Sequence, residues 1–131
     1  MRTLVTGILC GALLFCNGVQ AQNKALIDSL RGVLAGPLPD TTRIVVLYDL
    51  SWELADAGSY VEAKVLADSM MVLATRTGSE NAKANADNIL GEIALRLGDY
   101  AEARRYFAEC LQLNRKSGNE RKDARNGGRM N

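Results

Sequence analysis

Two stretches of this chain are written in nearly the same residues 40 positions apart, and that recurrence limits the possible architectures more than any bulk property does. Ala57-Gly58-Ser59-Tyr60-Val61-Glu62-Ala63 is matched by Leu97-Gly98-Asp99-Tyr100-Ala101-Glu102-Ala103, with Gly, Tyr, Glu and Ala in the same places. The same offset carries Leu50 onto Leu90, Gly78 onto Gly118, Glu80 onto Glu120 and Ala84 onto Ala124. Recurrence at a fixed period of this size marks a stacked repeat architecture. Each copy reads as a helix end followed by a helix start. Gly58 and Gly98 suit the residue just past a helix terminus. Ser59 and Asp99 follow as N-caps, and Glu62 and Glu102, three residues on, complete the pattern of a capping box. The chain therefore writes a helix hairpin twice.

The flanks carry helical periodicity. Ile44, Leu47, Leu50 and Leu54 form one apolar stripe, and Ala63, Leu66, Met70 and Leu73 the next. In the second copy the stripes are Ile89, Leu90, Ile93, Ala94 and Leu97, then Ala103, Tyr106, Phe107, Cys110 and Leu111. Spacings of three and four residues are those of one helix face. Ile44-Val45-Val46-Leu47-Tyr48 is β-prone by composition, but the repeat register places it at a helix start and propensity is the weaker signal. The spacing predicts helices from about Lys24 to Leu34, from a cap at Asp40 or Thr41 to Ala57, from Tyr60 to Thr77, from Glu80 to Leu97 and from Tyr100 to Lys116. Gly36-Pro37-Leu38-Pro39 interrupts the first pair, and turns are expected at Gly78-Ser79 and at Ser117-Gly118-Asn119.

The second copy resembles a tetratricopeptide repeat. Leu90-Gly91 match that pattern's Leu-Gly pair, Ala103 and Phe107 match its Ala-x3-Phe, and Cys110 fills the small position that follows. Asp87 stands where Trp is usual, Ala94 where Tyr is usual, and no Pro closes the unit. In the first copy Leu50 and Ala63 fit, while Ser51 replaces Gly and Ala67 replaces Phe. The period exceeds the family's usual length of about 34 residues and resembles its longer variant. The resemblance implies an all-α solenoid of antiparallel helix hairpins, with two full repeats over 44–118 and a partial third, ending in a frayed tail, over 119–131. It also implies a concave face lined by the first helix of each unit: Val45, Tyr48, Trp52 and Asp56 from one, Asn85, Asn88, Glu92 and Arg96 from the other. Asn amides there can donate to and accept from a peptide backbone, and Trp52 offers a flat anchor.

Ahead of the repeats, Arg2, the apolar run Leu4 to Cys16 and the small-residue site Val19-Gln20-Ala21 follow the three-part order of a secretory signal peptide. Its apolar run is shorter than the ~20 residues a bilayer crossing needs. Residues 1–21 are therefore expected to be a leader, and 22–43 a helix with a Pro-containing linker. A lipoprotein signal acylated at Cys16 is disfavoured by the bulk of Phe15, and a buried N-terminal helix by the Arg–apolar–small order. Export to the periplasm or beyond follows as an expectation. Cleavage would leave Cys110 as the one cysteine, reading as a buried thiol on an apolar stripe, and stability resting on packing alone. No stretch after the leader reads as a stable membrane span.

Charge and composition narrow the function. Lys and Arg number 16 and Asp and Glu 15, without the basic excess of a nucleic-acid binder. Six basic and two acidic residues between Arg115 and Asn131 read as a solvated helix end. The chain has no His, which removes Ser–His and Cys–His nucleophile pairs and His–metal sites, and it has no phosphate-binding P-loop. No catalytic, metal or cofactor site is expected. The expected function is a non-catalytic interaction module that holds a protein or peptide, with an uncapped repeat end open to self-association. The layout of leader, short helix and repeats also resembles the exported N-terminal regions of tetratricopeptide-bearing bacterial sensor kinases, nucleotide cyclases and regulators. That resemblance implies an alternative, a sensory input fragment separated from its output domain.

Overall fold

The computed structural model describes residues 20–127, and among these there are five helices and no strand. They are α1 (residues 20–35), α2 (Asp40–Asp56), α3 (Tyr60–Thr77), α4 (Glu80–Arg96) and α5 (Tyr100–Gly127). Apart from Gln20 and Ala21, the expected leader lies outside the described residues. Each helix from α2 onward packs on the next, and α2 also touches α4. The result is the expected all-α, solenoid-like arrangement: hairpin α2–α3 against hairpin α4–α5, with α1 packed on the first.

The turns are built the same way three times. Gly58, Gly78 and Gly98 take φ of 82°, 70° and 81°, a region other residues enter only with strain. In each, the residue after the glycine donates its N–H five residues back, from Ser59 to Leu54 O (2.8 Å), Ser79 to Ala74 O (2.9 Å) and Asp99 to Ala94 O (2.9 Å). The glycine N–H donates three back, to Ala55, Thr75 and Leu95. These paired bonds are the Schellman motif, which satisfies carbonyls a helix end would leave open. The three glycines are 20 residues apart, so the 40-residue repeat is made of two halves closed by one kind of turn.

The apolar stripes meet as their spacing predicts except at Leu97 and Leu111, which stay 59% and 51% exposed because no further helix among the described residues covers that side of the second hairpin. One cluster joins Ile27 of α1, Leu50 and Leu54 of α2, Ala63 and Ala67 of α3, and Ile89, Leu90 and Ile93 of α4. A second joins Ile44 and Leu47, Met70, Leu73 and Ala74, and Ala82 and Ala86. Burying each large aliphatic side chain contributes about 1.5–3 kcal/mol. The β-prone run is helical because Ile44, Val46 and Leu47 gain burial there that outweighs their small helix penalty. Gly91 lets α5 approach closely: a Cβ at that position would lie 2.7 Å from the Phe107 ring. The matched pair in the first hairpin, Ser51 and Ala67, is fully buried, the larger residue having moved to the other helix.

Three local expectations give way. The capping box at Ser59 does not form, because Arg31 of α1 takes both Glu62 oxygens at 2.8 Å. The Asp99 cap does form, its Oδ1 accepting from the Glu102 N–H at 3.2 Å, while Glu102 itself pairs with Arg105. Neither Asp40 nor Thr41 caps α2. Pro39 occupies the N-cap, and the Asp40 carboxylate instead accepts from Arg76 at 2.9 Å. The turn at Ser117-Gly118-Asn119 is absent, α5 running on to Gly127. Gly in a helix costs about 1 kcal/mol relative to Ala but does not end it. A fold-back also needs an apolar face to bury, and from Asn114 to Gly127 the only apolar side chain is Ala124.

Candidate functional site

The first helices of the two hairpins lie side by side, and between their N-terminal halves runs a groove of about 300 Å³. Ile44, Val45 and Tyr48 supply one wall and Asn81, Ala82 and Asn85 the other. Met70 and Thr77 of α3 reach the floor and end, with Thr41 and Ser79 at the rim. None of these ten residues carries a charge. Val45 is 56% exposed although it sits beside buried Ile44 and Val46, because its position on α2 points away from α1 and α3.

Of the residues expected on the concave face, Val45, Tyr48 and Asn85 line this groove. Trp52 is half-buried against the larger apolar cluster, its ring edge-on to Tyr48 with centroids 6.4 Å apart and planes at 76°. It thereby props Tyr48 from behind. Asn88 is half-buried on α4 and is not among the groove's lining residues. Asp56, Glu92 and Arg96 gather at the opposite end. Arg96 donates to Asp56 Oδ1 at 3.0 Å and to the Ala55 carbonyl at 3.2 Å, and lies 3.9 Å from Glu92. The hydrogen bond to Asp56 raises the Arg96 pKa further above its usual value. These three side chains pin the C-terminal end of α2 to α4. The expected face is thus divided into an open neutral groove and a charged seam.

Sequence reasoning missed the groove residues that do not come from the exposed stripe of a first helix. Met70 and Thr77 belong to α3, Ile44 read as core, and Ala82 fell in no stripe. Asn81 was findable, since it precedes Asn85 by one helical turn on the same face. A second feature lies off the groove. Asp87 on α4 is only 2% exposed, and its Oδ1 has no hydrogen-bond partner among the described residues. Burial, aided by the negative charge of Glu109 and opposed by Arg105, pushes its pKa up to about 6. Burial also raises the Cys110 thiol, and the Asp87 charge adds to that. The Asn114 amide lies 3.5 Å from the Cys110 sulfur.

The tetratricopeptide-repeat family model matches residues 88–117, from the middle of α4 to Ser117 in α5. No curated protein and no solved structure gives a significant match. The matched segment holds Leu90-Gly91, Ala103 and Phe107, the residues whose contacts set the spacing of α4 and α5. The match and the five-helix architecture together fit a tetratricopeptide-type repeat protein. Such repeats are protein–protein interaction modules, and at that level the chain's function follows from its fold. Among the described residues no helix is long and apolar enough to cross a membrane.

Proposed function

We propose that the chain is a non-catalytic scaffold that holds a protein segment in the groove between α2 and α4. The observation that carries this reading is the groove itself: about 300 Å³ and uncharged, with Ile44, Val45 and Tyr48 on one wall and Ala82 with the Asn81 and Asn85 amides on the other. Apolar walls exclude water and favour burial of partner side chains, while amides fix a backbone by donating and accepting. The test is retention of a partner from an extract of the source cells by the immobilised chain. Tyr48→Ala and Asn85→Ala should each lose that partner, and Asp68→Ala, on the far surface of α3, should keep it. Retention by both groove variants removes the reading.

We further propose that the scaffold works outside the cytoplasm. The order Arg2, Leu4 to Cys16, Val19-Gln20-Ala21 supports this, and so does the position of the contacts that α1 makes with the core. Ile27, Leu30 and Leu34 all lie beyond Ala21, so cleavage there would leave them in place. Residues 1–21 fused to a reporter active only after export should export it, and Arg2→Glu with Leu13→Asp should retain it in the cytoplasm. The alternative, sensory input to a kinase, cyclase or regulator, rests on the layout of leader, short helix and repeats. An adjacent reading frame encoding further repeats and an output domain would favour it.

A further inference from the structure

We propose that Asp87 is a proton-operated latch: a buried carboxyl that seats α5 against α4 when protonated and loosens that seam when ionised. The first hairpin shows what its position is for. Forty residues earlier stands Leu47, 4% exposed, inside the cluster of Ile44, Met70, Leu73 and Ala74. The matching set in the second hairpin is Ala84, Asp87, Cys110, Leu113 and Asn114, so an aliphatic seam becomes one with a carboxyl, a thiol and an amide. Asp87 is as deeply buried as the leucine it replaces, yet its Oδ1 meets no donor among the described residues. A neutral carboxylic acid tolerates that site at modest cost, and an ionised one without a partner does not.

The surrounding charges do not relieve the burden. On α5, Glu109 disfavours the ionised form and Cys110 is a neutral thiol at physiological pH, its own pKa raised. Arg105 favours ionisation weakly, because its guanidinium is held by Glu102 at 2.7 Å and Glu109 at 3.2 Å. No charged group of α2 or α3 acts on the Asp87 carboxyl, and the face α3 turns to the core is Ala63, Ala67, Met70, Leu73 and Ala74. The sign follows from linkage. The folded pKa of about 6 lies above the ordinary 3.8. The seam therefore keeps its full stability below that ordinary value, loses it as pH rises through about 6, and stays loosened above. A shift of this size corresponds to roughly a hundredfold change in the opening equilibrium.

Hydrogen exchange of the full chain at pH 4 and pH 7.5, with intrinsic rates removed, reads that equilibrium helix by helix. From the lower pH to the higher, protection of the first half of α5 should fall roughly a hundredfold, and that of α2 and α3 by less than ~3-fold. Asp87→Asn should flatten the α5 response, and Glu109→Gln, which removes a charge that disfavours ionisation, should shrink it. A flat response in the unaltered chain, or one as steep in Asp87→Asn, overturns the latch. The Asp87 carboxyl carbon titrated by NMR in the unaltered chain decides independently of any variant. A midpoint near 6 supports the latch, and one at the ordinary carboxylate value overturns it.

Discussion

The two hairpins share one backbone plan and differ in how much of it is covered. Hairpin α2–α3 is enclosed by α1 on one side and α4 on the other, and Leu50, Leu54, Met70 and Leu73 are all 6% exposed or less. In hairpin α4–α5, α4 is equally well buried, but among the described side chains α5 contributes only Ala103 to the buried set. Phe107, Cys110 and Leu113 are half-buried and Leu111 is 51% exposed. Identical turns have not produced equal halves. Turn chemistry sets where each helix begins and ends, and the neighbours on either face set how much the hairpin is worth.

The sharpest way to break this comparison is to truncate matched residues. Leu73→Ala, in the cluster with Ile44, Leu47 and Met70, should cost about 3 kcal/mol in urea denaturation. Leu113→Ala, its half-covered counterpart across the repeat boundary, should cost about 1 kcal/mol. Equal losses would show that the second hairpin is as well packed as the first. Next in size is Gly91→Ala, which drives a methyl into the Phe107 ring and should cost about 1–2 kcal/mol. In a Phe107→Ala background, which copies the smaller residue Ala67 of the first hairpin, the same change should become neutral or stabilising by up to about 1 kcal/mol through helix propensity. Failure of the sign to change would mean that Phe107 does not set the spacing. The smallest effects come from the glycine series. Gly58→Ala, at positive φ, should lower stability by about 1 kcal/mol, and Gly118→Ala, inside α5, should raise it by a similar amount. Thermal unfolding of both variants checks that the fourth glycine has left the turn pattern.

Much of the fold was readable because the decisive signals were local. Gly58-Ser59 and Gly78-Ser79 bracket α3, and its observed bounds are the expected ones. The stripes through Leu50 and Ile89 named the core for the same reason. What could not be read depended on which distant side chain arrived first. Glu62 has the spacing of a capping box, but Arg31 offers two hydrogen bonds with charge on both sides, which outweigh one to a backbone amide. Asp56 and Arg96 share the exposed face of their helices and so looked like groove residues. Their opposite charges at the repeat offset were the unused sign that they would pair with each other. Ser117-Gly118-Asn119 has the composition of a turn, but composition alone does not reveal whether anything follows worth folding back. The groove's floor was invisible because an opening between helices belongs to no single stripe.

The uniform spacing of the three left-handed glycines has an engineering corollary. Since the bend inside a hairpin and the bend between hairpins are chemically the same, the chain carries no local mark of where one unit stops. Splicing out a single helix with its bend would give a perfectly acceptable strand of helices and bends, yet every later helix would then point the opposite way and present its polar side to the interior. Only cuts or duplications of two helices at a time preserve the direction of travel, so this architecture can grow or shrink in pairs and in no smaller step.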